Sequence, residues 1–246
     1  MSQLYYKIII AAAFFAYLAS IAVNRHGRKR YARLLSCSGL ALTLTTALAG
    51  GLQTLRLPIY GLYETSLHMA LTLGICLELC APEAGDDRLW PFGRLIAAAL
   101  LGLAWTAAGE FKFDFYIYQA LTVQLFFFLR LTAAGVLLFA WLRFAMARAD
   151  IFLNKTENNS AAIRQAVNTL IAGALLFLAS ELSGTIWCMR GWGDIWHWSA
   201  NFFESAALFL LLMLPLHIPG HLKNNTFITW TGMICTLLMV LAVTLP

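Results

Sequence analysis

The chain is short of charge. Only 12% of its 246 residues are Asp, Glu, Lys or Arg, against 61% that are hydrophobic. A water-soluble domain could not cover so much apolar surface, so the expected fold class is all-α, a polytopic integral membrane helix bundle. Soluble-enzyme signatures are missing as well. There is no Walker phosphate loop, no GxGxxG unit and no HExxH pair. The five cysteines form no CxxC and no CxxCH, so neither thiol–disulfide exchange nor covalent haem attachment to this chain is signalled. Cys37, Cys76, Cys80 and Cys235 fall in apolar runs, and Cys188 in a connection. The formal charge of +5 is explained by membrane orientation, and no nucleic-acid partner is expected.

What is present is a series of apolar runs. Eight spans are expected, at about 4–23, 34–54, 61–80, 95–110, 119–142, 165–187, 203–219 and 226–245. Each must be helical, because lipid offers no partner to a free N–H or C=O. The first run matches the ~20 residues a bilayer core requires. Its basic cluster, Arg25 to Arg30, follows it, so it reads as a membrane helix and not as a cleaved leader. Connections 24–33, 81–94, 143–164 and 218–225 carry twelve of the seventeen Lys and Arg. The positive-inside rule then places both termini outside. It makes 147–164 a cytoplasmic polar linker and 187–203 a periplasmic Trp-rich loop of one membrane domain, 1–246. The linker separates spans one to five from spans six to eight. The expected location is the bacterial inner membrane, with the lipid bilayer as first partner.

Four of the eight tryptophans, Trp187, Trp192, Trp196 and Trp198, lie within twelve residues. They read either as an interfacial belt at headgroup level or as a platform for a flat apolar ligand. Glu64 and Tyr63 follow Pro58 at the end of the third span. A carboxylate there needs a partner, a proton or water. The segment 110–118 alternates aromatics and suits a short surface-lying element. Arg130, about a dozen residues into the fifth span, needs a partner too, and Glu181, Glu64 and Glu204 are the candidates. An ion pair that fixes packing and a role on a ligand both remain open for it. His68 and His217 lie in spans and read as packed side chains or as iron ligands. Their expected depths differ by ~10 Å, which disfavours one haem bridging both.

The Trp stretch reads Gly184-Thr185-Ile186-Trp187, then Trp192-Gly193-Asp194-Ile195-Trp196-His197-Trp198. This resembles the tryptophan-rich signature of the CcsA/CcmC/CcmF haem-handling proteins of cytochrome c biogenesis, and of these the CcsA branch in spacing. His217, nineteen residues after Trp198, matches the family's intramembrane His. Pro58-Ile59-Tyr60-Gly61-Leu62-Tyr63-Glu64-Thr65 is similar to the family's upstream Pro and Leu-Tyr-Glu-Ser element. The likeness covers about residues 55–246.

The resemblance implies haem, b-type or in transit, held by Trp187, Trp192, Gly193, Trp196 and Trp198. It implies His217 on iron; position and charge add His68 as a second candidate ligand, Arg130 or Arg190 for propionates, and Pro58, Tyr63, Glu64 and Glu181 as support. Implied partners are apocytochrome c or a multihaem cytochrome, and a second membrane biogenesis protein. The chain would then be a component of a cytochrome c haem lyase, with no catalytic residue assigned. Departures exist. Ser199, Ala200, Asn201 and Phe202 replace the family's acidic, proline and basic residues. Gln124 and Phe126 stand near where an outer His is expected, and the second outer His would lie beyond Pro246. These departures favour an anchor or assembly subunit of a membrane cytochrome or oxidoreductase complex. A quinone-reactive subunit using Glu64, His68 and Arg130 is a third reading.

Overall fold

The computed structural model describes residues 3–80, 88–107, 120–153, 159–194, 200–219 and 224–244. Among them the regular structure is helical throughout. Six helices are long and apolar enough to cross a membrane, which makes this a multi-pass membrane protein. The chain divides into two compact units, 1–114 and 115–246.

The first unit holds α1 (Gln3–Arg25), α2 (Lys29–Thr54), α3 (Gly61–Cys80) and α4 (Leu89–Ala107). Each packs on two of the others, α1 on α2 and α4, and α3 on α2 and α4. Tyr6, Ile10, Ala13, Tyr17 and Ser20 line the buried face of α1 at alternating steps of four and three. On α2 the same rhythm runs through Ala32, Ser36, Gly39, Thr43, Thr46 and Gly50. This is the spacing of an antiparallel coiled-coil seam, with small residues on α2 admitting the large ones of α1. Tyr6 donates to Gln53 Oε1 at 2.7 Å near one end. A Cβ on Gly39 would lie 3.1 Å from the Tyr17 ring further along.

Helix α3 falls outside the six apolar spans, yet twelve of its twenty residues are buried. The two facts share a cause. The face of α3 that packs against α2 and α4, with Tyr17 of α1 against its Gly74, is shielded from lipid and can carry Glu64, Ser66, His68, Thr72 and Glu78, each of which would be costly on a lipid-facing surface. Helix α4 begins at Leu89, six residues before the expected span. Pro91 suits the first turn because its missing N–H would have no helical partner there. Arg94, expected in a solvated connection, is therefore inside the helix and 1% exposed.

The second unit holds α5 (Leu121–Phe152), α6 (Asn159–Trp192), α7 (Ala200–Met213), a 3₁₀ turn (Leu214–Leu216) and α8 (Asn225–Thr244). Helices α5 and α6, with 32 and 34 residues, are about 48 and 51 Å long and overrun a ~30 Å hydrocarbon core. The expected linker 147–164 is consequently mostly helix, with 154–158 outside the described residues. It does not separate α5 from α6, which form an antiparallel pair. Leu137 of α5 seats against Gly173 and Phe126 against Gly184, while Phe144 seats against Gly232 of α8. Large side chains of the central helix fill notches where its neighbours have no Cβ. Helix α7 packs on α6 and α8. Pro215 ends it by breaking the helical hydrogen-bond ladder.

Candidate functional site

The buried charges fall into three groups. In the second unit, Arg130 Nη1 lies 3.4 Å from Glu181 Oε1 and donates to Ser205 Oγ at 3.1 Å. Its guanidinium stands over the rings of Phe126 and Phe177, at 5.3 and 5.4 Å to their centroids. Helices α5, α6 and α7 thus meet at one cation held by a carboxylate, a hydroxyl and two aromatic faces. Of the three carboxylates proposed for Arg130 from sequence, Glu181 is the one at contact distance. Glu204 is exposed on α7, and Glu64 belongs to the first unit.

From Glu181, α6 continues for three more turns. Trp187 and Trp192 stand on this stretch with ring centroids 5.4 Å apart and planes tilted by 56°. Trp192 is 52% exposed, and Arg190 is exposed in the same last turn. Helix α6 reaches Trp192, so the expected loop from 187 starts later. Gly193 stops the helix in the left-handed region at φ +73°, with its N–H donating to the Met189 carbonyl at 3.1 Å. Ile195, Trp196, His197, Trp198 and Ser199 lie outside the described residues, as does the expected surface element 110–118.

His217 follows the 3₁₀ turn and is exposed. Its Nδ1 is 2.9 Å from the Met213 carbonyl oxygen. A carbonyl can only accept, so Nδ1 carries the hydrogen, and in the neutral imidazole the lone pair is then on Nε2. Backbone-tied imidazoles of this kind suit a metal ligand, and the donor fits a haem iron. Helix α7 and the 3₁₀ turn put about 27 Å of helix between His217 and the start of α7. His68 is 5% exposed within the first unit, so a porphyrin could approach it only by unpacking α3. Among the described residues no three His, Cys, Asp or Glu converge on a metal position.

The corner between α2 and α3 is built around Glu64. Arg56 donates to both its oxygens, at 2.7 and 2.9 Å, and the Tyr60 N–H donates to Oε2 at 2.8 Å. Both side chains are buried, and Arg56 also stands over the Tyr60 ring at 5.0 Å. Pro58 sits in this turn and Tyr63 is buried beside Glu64. Sequence reasoning singled out Pro58, Tyr63 and Glu64 but not Arg56 as the partner.

It missed the third group altogether. At the other end of α3, Glu78 Oε1 lies 3.5 Å from Arg94 Nη2, and Oε2 lies 3.4 Å from Arg33 Nε. A carboxylate inside the 61–80 run, two residues before its end, was the signal, as Glu64 was at the other end. With this geometry in hand, no family model matches the chain and no curated protein matches it.

Proposed function

We propose that the chain is a CcsA-like integral membrane protein that binds or passes on haem during assembly of c-type cytochromes. The observation that carries the reading is the Trp187–Trp192 pair at the end of α6, Trp192 exposed and Trp187 half-buried, with Arg190 in the same turn. Paired indoles offer a face on which a porphyrin can stack, and a guanidinium is the natural partner of its propionates. The remaining signature residues, Trp196 and Trp198, follow directly in sequence. His217 is the candidate iron ligand, with Nε2 available. Haem would supply the redox-active iron porphyrin that is cargo or cofactor. The chain's own residues stack its face, pair its carboxylates and hold one axial position.

The length of α7 supports two successive stations, the Trp surface and His217, over a single site holding both. The 17 residues Ala200–Leu216, about 27 Å, also approach the thickness of the hydrocarbon core. With α3 packed between α2 and α4, that supports eight spans; the distribution of Lys and Arg is what would put both termini outside and the Trp stretch in the periplasm of a bacterial inner membrane. Apocytochrome c or a multihaem cytochrome would be the acceptor, and a second membrane biogenesis protein would supply ligands this chain lacks.

The test is the absorption spectrum of gently solubilised protein from haem-replete cells. A Soret band is expected, with haem recovery reduced several-fold in Trp192→Ala and in His217→Ala. Equal haem content in wild type and both variants would end the proposal. One observation favours a structural subunit instead. Arg130 is already committed to Glu181, Ser205 and two rings and is not free for a propionate. That reading predicts no Soret band and a stably co-purifying cytochrome or oxidoreductase subunit. The quinone reading has no such support, because both oxygens of Glu64 are engaged by Arg56.

A further inference from the structure

Every helix of the first unit contributes a polar group to one cluster at the C-terminal end of α3, buried at Tyr17, Glu78 and Arg94 and open at Arg33 and Cys37. Helix α1 brings Tyr17, α2 brings Arg33 and Cys37, α3 brings Glu78, and α4 brings Arg94. Among the described residues the cluster is unbalanced in charge, with two guanidiniums facing one carboxylate. It is also unbalanced in hydrogen bonds. Arg94 is 1% exposed, its single contact with Glu78 is long at 3.5 Å, and its Nε and Nη1 find no partner among the described residues. The Tyr17 hydroxyl is fully buried and likewise without a partner there.

Buried donors without acceptors are rare in folded proteins, because each costs its full desolvation free energy. A guanidinium in that state is rarer, since it loses charge solvation as well. The backbone makes room for this arrangement. Gly74 lies one helical turn before Glu78 on the same face, and a Cβ there would fall 2.6 Å from the Tyr17 oxygen. The Tyr17 hydroxyl is thus directed to the turn preceding Glu78, within electrostatic reach of Glu78, Arg94 and Cys37. Arg33, whose side chain is 51% exposed, leads from the cluster to the surface. The Trp90 ring lies under Arg94, 4.7 Å from its guanidinium, and holds the plane in place.

We infer that this cluster is an oxyanion site, completed by a singly charged phosphate-type group that accepts from Arg94 and Tyr17. One negative charge brings the two arginines and one glutamate to neutrality, and its oxygens supply the missing acceptors. The source is either the phosphodiester of an anionic phospholipid or free inorganic phosphate. The site is separate from the aromatic surface of α6, so its failure leaves the haem reading untouched, and the reverse holds.

The experiment uses the full chain, delipidated in detergent, and follows its thermal transition. Inorganic phosphate is titrated in one arm at constant ionic strength. Short-chain phosphatidylglycerol is titrated in a second, and phosphatidylcholine serves as the zwitterionic control. A saturable upward shift with phosphate identifies a free anion. A shift with phosphatidylglycerol alone identifies the lipid, whose retention native mass spectrometry reads independently. Arg94→Gln is expected to abolish the shift. Tyr17→Phe keeps the packing and is expected to weaken binding about five- to tenfold. No saturable shift in the wild type, equal shifts with phosphatidylcholine, or binding unchanged in Tyr17→Phe would overturn the inference and leave the cluster as a hydrated pair of arginines.

Discussion

Removing the Glu64 carboxylate tests whether the α2–α3 corner is held by charge. Glu64→Ala deprives Arg56 of both its short contacts and the Tyr60 N–H of its acceptor, at a place where the two side chains are 0% and 8% exposed. A buried charge left alone typically costs about 3–5 kcal/mol. With about 2–4 °C per kcal/mol for a chain of this size, the thermal midpoint should fall by about 6–20 °C. Arg56→Ala should cost a similar amount. The double variant Arg56→Met/Glu64→Leu should recover most of it, because it removes both charges and refills the volume. Their combination in a double-mutant cycle isolates the pair from the cost of each truncation. Midpoints are read by tryptophan fluorescence in one detergent at one pH, with circular dichroism checking that helix content is kept. If Glu64→Ala lowers the midpoint by less than about 2 °C, or if the double variant is as unstable as either single one, the corner is not held by this ion pair.

Other perturbations follow from the same contacts. Gly232→Ala places a Cβ within 2.6–2.8 Å of the Phe144 ring and should cost about 1–3 kcal/mol, with Phe144→Leu restoring much of the loss. Unfolding midpoints of the two single variants and the pair decide this. Glu181→Ala should destabilise the second unit by about 3–5 kcal/mol, while Ser205→Ala removes one neutral acceptor and should cost about 1 kcal/mol. Equal effects from the two would show that Arg130 does not depend on the carboxylate. Gly193→Val forces a β-branched residue to φ +73° and should unwind the last turn of α6. The check is lost protection of the Met189–Trp192 amides in hydrogen exchange.

Helix positions were legible because a run of about twenty apolar residues admits no other backbone in lipid. The need of Arg130 for a partner was legible for the same reason, and Glu181 was among the residues named for it. Helix ends were not. Hydropathy reads the thickness of the bilayer, whereas α5 and α6 run on past it through Arg143, Arg148, Asp150 and Arg164. Their length is set by packing on each other and by stops such as Gly193. Arg94 was assigned to a solvated connection on charge alone, yet Glu78 and Trp90 draw it into the bundle. The polar character of α3 was visible, and its meaning was not. Only its packing on α2 and α4 shows that these polar groups are turned away from lipid. For the Trp stretch, sequence located the cluster and the structure corrects its form, since Trp187 and Trp192 stand on a helix.

The enclosure of α3 has a consequence for how the chain is made. Alone at the translocon, a segment bearing an acidic side chain near each end, Glu64 and Glu78, is a poor candidate for lipid, because each opposes insertion unless it is paired. The order of synthesis relieves this. Arg56 leaves the ribosome eight residues before Glu64, and Arg33 emerges well before Glu78. The carboxylates of α3 thus arrive after arginines that can neutralise them, and α2 acts as an escort for a helix that could not enter unaccompanied. Arg94 comes last, sixteen residues behind Glu78, and closes the bundle over charges already in place.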